Sequence, residues 1–159
     1  MANDRIIEWI PMYPDDFVVW INVVKLDASW SNDSPYYVGK NAIGPGNGSP
    51  SRYKKFGEWV AEGHQIWMPH VGLADEGYIV FSNGRHRFAW LRDHGVRALP
   101  VTVSPEIEAE VKRRFGTKRR ISLLSFQQTA TGRAKSVSLP AKFHRVPVAT
   151  ATHKSPDRN

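Results

Sequence analysis

Two periods of apolar and polar positions run along this chain, and the sharpest switch between them falls in residues 78–103. Residues 78–81 (Tyr-Ile-Val-Phe) are β-branched and aromatic and predict a strand. Asn83-Gly84 follows, a pair in which both residues tolerate positive φ and which marks a tight turn. From Arg85 the spacing becomes helical. Phe88 and Leu91, with Trp90 beside them, pin one face to a core, Gly95 stops the helix, and 99–103 (Leu-Pro-Val-Thr-Val) returns as a strand. Upstream, a glycine-rich stretch leads into a helix starting at about Arg52, with Ser49 or Ser51 as N-cap. Downstream, the run PEIEAEVKRRF from Pro105 places Glu early and Lys/Arg late, the order that a helix macrodipole favours. Beyond Gln127 few large apolar residues remain, which predicts disorder. The pattern as a whole predicts an α+β fold, a small mixed β-sheet with short helices. It divides the chain into one domain over 1–116 and a basic, disordered tail over 117–159.

The predicted helix start at Gly84-Arg85-His86-Arg87 carries the chemistry. A first helical turn leaves backbone N–H groups without partners and places positive partial charge at the same end, which suits an anion. Arg85 and Arg87 add forked donors for phosphate oxygens, and His86 can donate, accept or carry a proton near neutral pH. Arginines there run against the dipole preference for acidic residues, so a purely structural helix would more often carry Asp or Glu. Phosphate or nucleotide binding is therefore the expectation, with Asn83 at the turn included; a solvated basic helix start is the alternative.

Charge sharpens this picture. The chain's formal net charge is +7, but residues 1–111 sum to −4 and residues 112–159 to +11. Lys112, Arg113, Arg114, Lys118, Arg119 and Arg120 form two clusters that suit a polyanion, since neutralising phosphates releases counterions. DNA is the expected partner of this stretch, and a solubilising tail is the bland alternative. There is no Cys, so disulfides and thiolate chemistry are excluded. Neither an N-terminal apolar leader nor a long apolar run is visible, which predicts a cytoplasmic protein with no membrane partner. The six tryptophans, Trp9, Trp20, Trp30, Trp59, Trp67 and Trp90, are expected to build the core.

Gly84-Arg85-His86-Arg87 resembles the nucleotide-binding turn of the ParB/sulfiredoxin fold, and the following Phe-Ala-x-x-Arg-x-x-Gly-Val-x-x-Leu-Pro-Val resembles that fold's helix and closing strand. The likeness extends over roughly residues 18–103: 51–63 resembles that fold's short helix with its Gly stop at Gly63, 66–71 its next strand, and 74–77 the hairpin before Tyr78. Sulfiredoxins carry a catalytic Cys where this chain has Arg85, so sulfinic-acid reduction is excluded. Too few residues follow Val103 for the further domains of chromosome-partition ParB proteins. A standalone module remains, similar to the plasmid fertility-inhibition effectors of the Osa type. That resemblance implies ATP or CTP as ligand, Mg²⁺ as cofactor, and nucleoside triphosphatase or nuclease activity. In such a reaction Arg85 and Arg87 stabilise charge on phosphoryl oxygens, His86 orients or protonates, and Glu62 is a candidate base. The competing expectation is a nucleotide-gated module that binds DNA or a protein and never cleaves.

Weaker signals surround this centre. The glycine-rich run 44–51 (GPGNGSPS) leads into the first predicted helix and lacks the Lys-Ser/Thr ending of a P-loop, so a flexible surface loop is the commoner reading. Arg52 just after it is placed to reach the same ligand as the turn. His64, His70 and His94 come without the neighbouring carboxylates or third His of a catalytic metal site and are expected to be structural or surface residues. No metal ligands are assigned.

Overall fold

The computed structural model describes residues 2–43, 48–121, 123–128 and 134–138, with side chains described over 6–43 and 48–121. In chain order the elements are β1 (Ala2–Ile6), β2 (Trp9–Ile10), β3 (Phe17–Asn22), α1 (Val23–Trp30), α2 (Pro50–Ala61), β4 (Ile66–Trp67), β5 (His70–Leu73), β6 (Ile79–Asn83), α3 (Arg85–Asp93), β7 (Ala98–Val103), α4 (Glu108–Phe115), β8 (Leu123–Gln128) and β9 (Ala134–Ser138). Single 3₁₀ turns at Lys40–Ala42 and Pro105–Ile107 complete them. The class is α+β with mixed pairing, as the apolar pattern predicts.

A four-stranded sheet in the order β3-β7-β5-β6 forms the frame. β3 pairs antiparallel with β7 over its whole length, β5 pairs parallel with β7, and β5 and β6 form an antiparallel hairpin. That hairpin closes where the sequence places it, with the Ala74 N–H on the Tyr78 carbonyl at 2.9 Å. The strand expected over 66–71 is split instead. Pro69 has no N–H for a ladder, so Ile66–Trp67 pairs in parallel with β2 while His70–Leu73 joins the main sheet. The Pro69 carbonyl still accepts from the Thr102 N–H at 2.9 Å.

The core lies between this sheet and the helices. Trp30 packs edge-on against Phe81, Phe88 and Tyr37 with ring centroids 4.5–5.7 Å apart. Five of the six tryptophans are buried and Trp59 is partly so. Pro50 opens α2 and the Ser49 hydroxyl accepts from the Arg52 N–H, so Ser49 is the N-cap.

The chain does not leave the packed body at residue 116. Gly116 bridges to Ile21, the Thr117 N–H donates to the Trp20 carbonyl at 2.9 Å, and buried Ile121 offers its carbonyl to Trp9 Nε1 at 3.1 Å. Within the segment expected to be disordered, β8 pairs antiparallel with β1, and β9 with β8. The reason is long-range: β8 reads weakly by itself and gains its partner from the other end of the chain. Residues 122, 129–133 and 139–159 lie outside the described residues.

Candidate functional site

Gly84 makes the turn that begins α3. Its φ is +80°, a conformation that L side chains rarely adopt, and an added Cβ would sit 2.9 Å from Pro69 Cα and 2.7 Å from Arg87 Nη2. Glycine is thus required twice over, for its backbone angle and for its missing side chain.

The side chains after it turn inward. Arg85 is 7% exposed, and His86 and Arg87 are 0% exposed, where the sequence predicts an open wall for an anion. Arg87 Nη2 donates to Asn83 Oδ1 at 3.1 Å, one helical turn back. The Arg85 guanidinium lies 5.4 Å from the Tyr36 ring centroid. Its charge faces Asp33, whose carboxyl is raised above the usual range by burial, with the Trp30 hydrogen bond and Arg85 acting the other way. His86 Nε2 accepts from the Ser49 N–H at 2.8 Å. A phosphate arriving at these side chains meets groups already engaged with the interior.

The other expected site residues fall in different places. Arg52 is exposed in the first turn of α2, at the end of that helix where the Ser49 N–H meets His86. Glu62 caps the opposite end of α2, about 18 Å along the helix axis, and pairs with His64 at 2.9 Å. The structure therefore separates Glu62 from His86 and Arg87. Of the glycine-rich run, residues 44–47 lie outside the described residues.

A buried network that the sequence analysis did not single out lies at the other end of α3. Arg92 donates through Nη1 to Asp27 Oδ1 and to the Val38 carbonyl, both at 2.8 Å, and through Nε to Asp93 Oδ1 at 2.9 Å. Asp93 Oδ2 accepts from the Asn41 N–H and from the Tyr53 hydroxyl, each at 2.9 Å. Burial opposes the Arg92 charge, yet the bonds to Asp93 and Asp27 outweigh it and hold its pKa up. Burial and the Asp93 hydrogen bond raise the Tyr53 hydroxyl strongly. This network ties α1, the segment around Val38 to Asn41, α2 and α3 to one cation. No motif signals it, because its five partners are scattered along the chain.

Five of the six clustered basic residues split into two groups, and Arg119 is exposed outside both. Arg113 is bidentate with Glu110, and Arg114 donates to the Gly77 carbonyl. Lys112, Lys118 and Arg120 instead converge with Val18, Val19, Trp20, Gly116 and Thr117 around a cleft of about 310 Å³. Arg120 sits 5.2 Å above the Trp20 ring, which orients it, and its Nη1 donates to the Thr117 and Arg119 carbonyls. The cleft's other wall is β3, an edge strand of the main sheet.

Among the described residues no group of three or more His, Asp or Glu is placed to hold a metal ion. Among the described residues, Glu62 stands too far from His86 and Arg87 to share a Mg²⁺ ion with them. No helix among the described residues is long and apolar enough to cross a membrane.

A family model described as plasmid fertility inhibition factor matches residues 18–117. Among solved structures, the chain resembles the crystal structure of an oncogenic suppression activity protein, described as a plasmid fertility inhibition factor and solved as a gold(I) cyanide derivative. The TM-score is 0.53 at 18% sequence identity, over 67% of this chain and 60% of that one. This is a likeness of fold. The expected similarity to Osa-type fertility-inhibition effectors is the one that these comparisons carry. No curated protein matches the chain.

Proposed function

The chain belongs to the plasmid fertility inhibition factor family, and from that premise we propose that it restrains plasmid transfer as a stoichiometric effector, by binding an acidic partner that transfer requires. The observation that carries this reading is the convergence of Lys112, Lys118 and Arg120 on one cleft beside an edge strand. Three cations held around a single concavity focus positive potential on a partner of opposite sign. The reading needs no catalytic group, and the effector acts by occupying its target.

The test is transfer frequency of a co-resident plasmid from donor cells that express the full chain. Wild type lowers transfer, and a variant carrying Lys112→Glu, Lys118→Glu and Arg120→Glu loses most of that inhibition while expressing and melting normally. A folded triple variant that inhibits as well as wild type overturns the capture reading.

One observation favours a second reading. The Ser49 bond to His86 brings the start of α2 against the start of α3, which supports nucleotide binding at that junction with exposed Arg52 as the reachable cation. Titration of the full chain with ATP and CTP, with and without Mg²⁺, decides it. Saturable binding weakened by Arg52→Ala supports the reading, and no binding removes nucleotide binding and hydrolysis together. No hydrolytic step follows from the groups that surround His86.

A further inference from the structure

The backbone of β3 tells more about what the basic cleft accepts. β3 pairs with β7 in a register that sets Trp20 opposite Pro100. Proline has no N–H, so this pair exchanges no ladder bonds and the Trp20 N–H and C=O point away from β7. The Thr117 N–H, which donates to the Trp20 carbonyl from outside the sheet, occupies that outer side. Groups two residues apart along a strand point the same way. Val18 therefore also turns its N–H and C=O outward, and among the described residues neither makes a backbone hydrogen bond. Val18 lines the cleft and is 37% exposed, and Phe17 beside it is 51% exposed. The cleft thus combines an open strand edge, which offers both a donor and an acceptor, with three cations at its rim.

We infer that this cleft binds an extended acidic peptide segment as an added strand on β3, continuing the edge that residues 116–117 already cover at Trp20 and Ile21. This deepens the capture reading above and rests on it. A peptide supplies the acceptor that the Val18 N–H needs and the donor that its carbonyl needs. A phosphodiester backbone supplies acceptors only and leaves the Val18 carbonyl unmatched. Charge sets the sequence class: Lys112, Lys118 and Arg120 take carboxylates, while Asp15, exposed before the start of β3, disfavours acid at the far end. The chain's own residues 129–159 carry six Lys+Arg and one Asp, so they repel the cleft. A second copy adding through the same edge would set like charges together.

The experiment titrates the full chain with a labelled alternating Glu-Val peptide of about six residues, with an alternating Lys-Val peptide and a DNA duplex as comparators. The Glu-Val peptide is expected to bind, the Lys-Val peptide not. The Lys118→Glu/Arg120→Glu variant weakens Glu-Val binding about tenfold or more, and so does Val18→Pro, a loss on the scale of one or two hydrogen bonds. Val18→Pro removes only an outward N–H, which an edge strand tolerates. In the wild type, saturating peptide slows amide exchange at Val18. The inference is overturned by unchanged Val18 exchange, by wild-type affinity in a folded Val18→Pro variant, or by tight duplex binding without Glu-Val binding. If Val18→Pro does not fold, the exchange measurement decides alone. Loss of transfer inhibition in the triple charge variant, together with no Glu-Val binding, leaves the capture reading standing and removes this one.

Discussion

At the residue scale, buried charge is the feature that most needs explaining. Arg92 has 10% of its side chain exposed and binds Asp27, Asp93 and the Val38 carbonyl at once. Removing the cation strands two carboxylates in a poorly solvated place. We expect Arg92→Leu to cost about 3 kcal/mol of unfolding free energy, measured by urea titration. Arg113→Ala removes a pair whose arginine is 70% exposed and is expected to change stability by under about 0.5 kcal/mol. Equal losses in the two variants would show that the network does not carry the fold. The same contrast separates the Arg85 to Arg87 segment from Lys112, Lys118 and Arg120. Composition counts both as basic, and the structure turns one inward and the other toward a cleft.

At the element scale, α2 and α3 show how packing overrides local preference. Gly57 lies inside α2, where a glycine weakens a helix relative to alanine. Here a Cβ would lie 2.5 Å from Trp90 Nε1, so the glycine lets α3 approach. Gly57→Ala is expected to lower stability by about 1–3 kcal/mol, the opposite of what helix propensity alone predicts; a raised melting temperature would refute this. The C-terminal end of α3 and the start of β5 also carry a pH response. Burial lowers His94, stacked on Trp90 at 3.7 Å, and burial lowers His70 despite Asp16 at 3.1 Å. A histidine held below its unfolded value binds its proton more readily when unfolded. Its contribution is therefore present above about pH 6.5 and lost as pH falls through and below that value. The melting temperature should drop between about pH 7.5 and 5.5, and His94→Gln should flatten part of that drop. A flat profile in the wild type would contradict the assigned burial of both rings.

At the scale of the whole molecule, the lopsided charge acquires a location and the domain a different edge. Truncation after Phe115 removes Thr117 from the Trp20 carbonyl, Arg120 from the Trp20 ring and Ile121 from the core. It is expected to cost about 2–4 kcal/mol, seen as a lowered urea midpoint, whereas an unchanged midpoint would restore the boundary at 116. Much of the frame was legible in order: the hairpin through residues 74–77, the helix from Arg85, the strand that follows it, and the helix after Ser49 rest on local signals of period, turn and cap. β1, β8 and β9 were not legible, because a short strand is selected by a partner distant in sequence. By itself the sequence determined the α+β class, the glycine turn at Gly84, the tryptophan core and the excess of cations after residue 111, since each follows from neighbours along the chain. Only the tertiary structure decided that the Gly84 to Arg87 cations are interior, that Glu62 stands apart from them, and that Lys112, Lys118 and Arg120 meet an open strand edge. Burial and convergence depend on which distant segments share a space, and the Pro100 register that exposes Val18 exists only once β3 and β7 have paired.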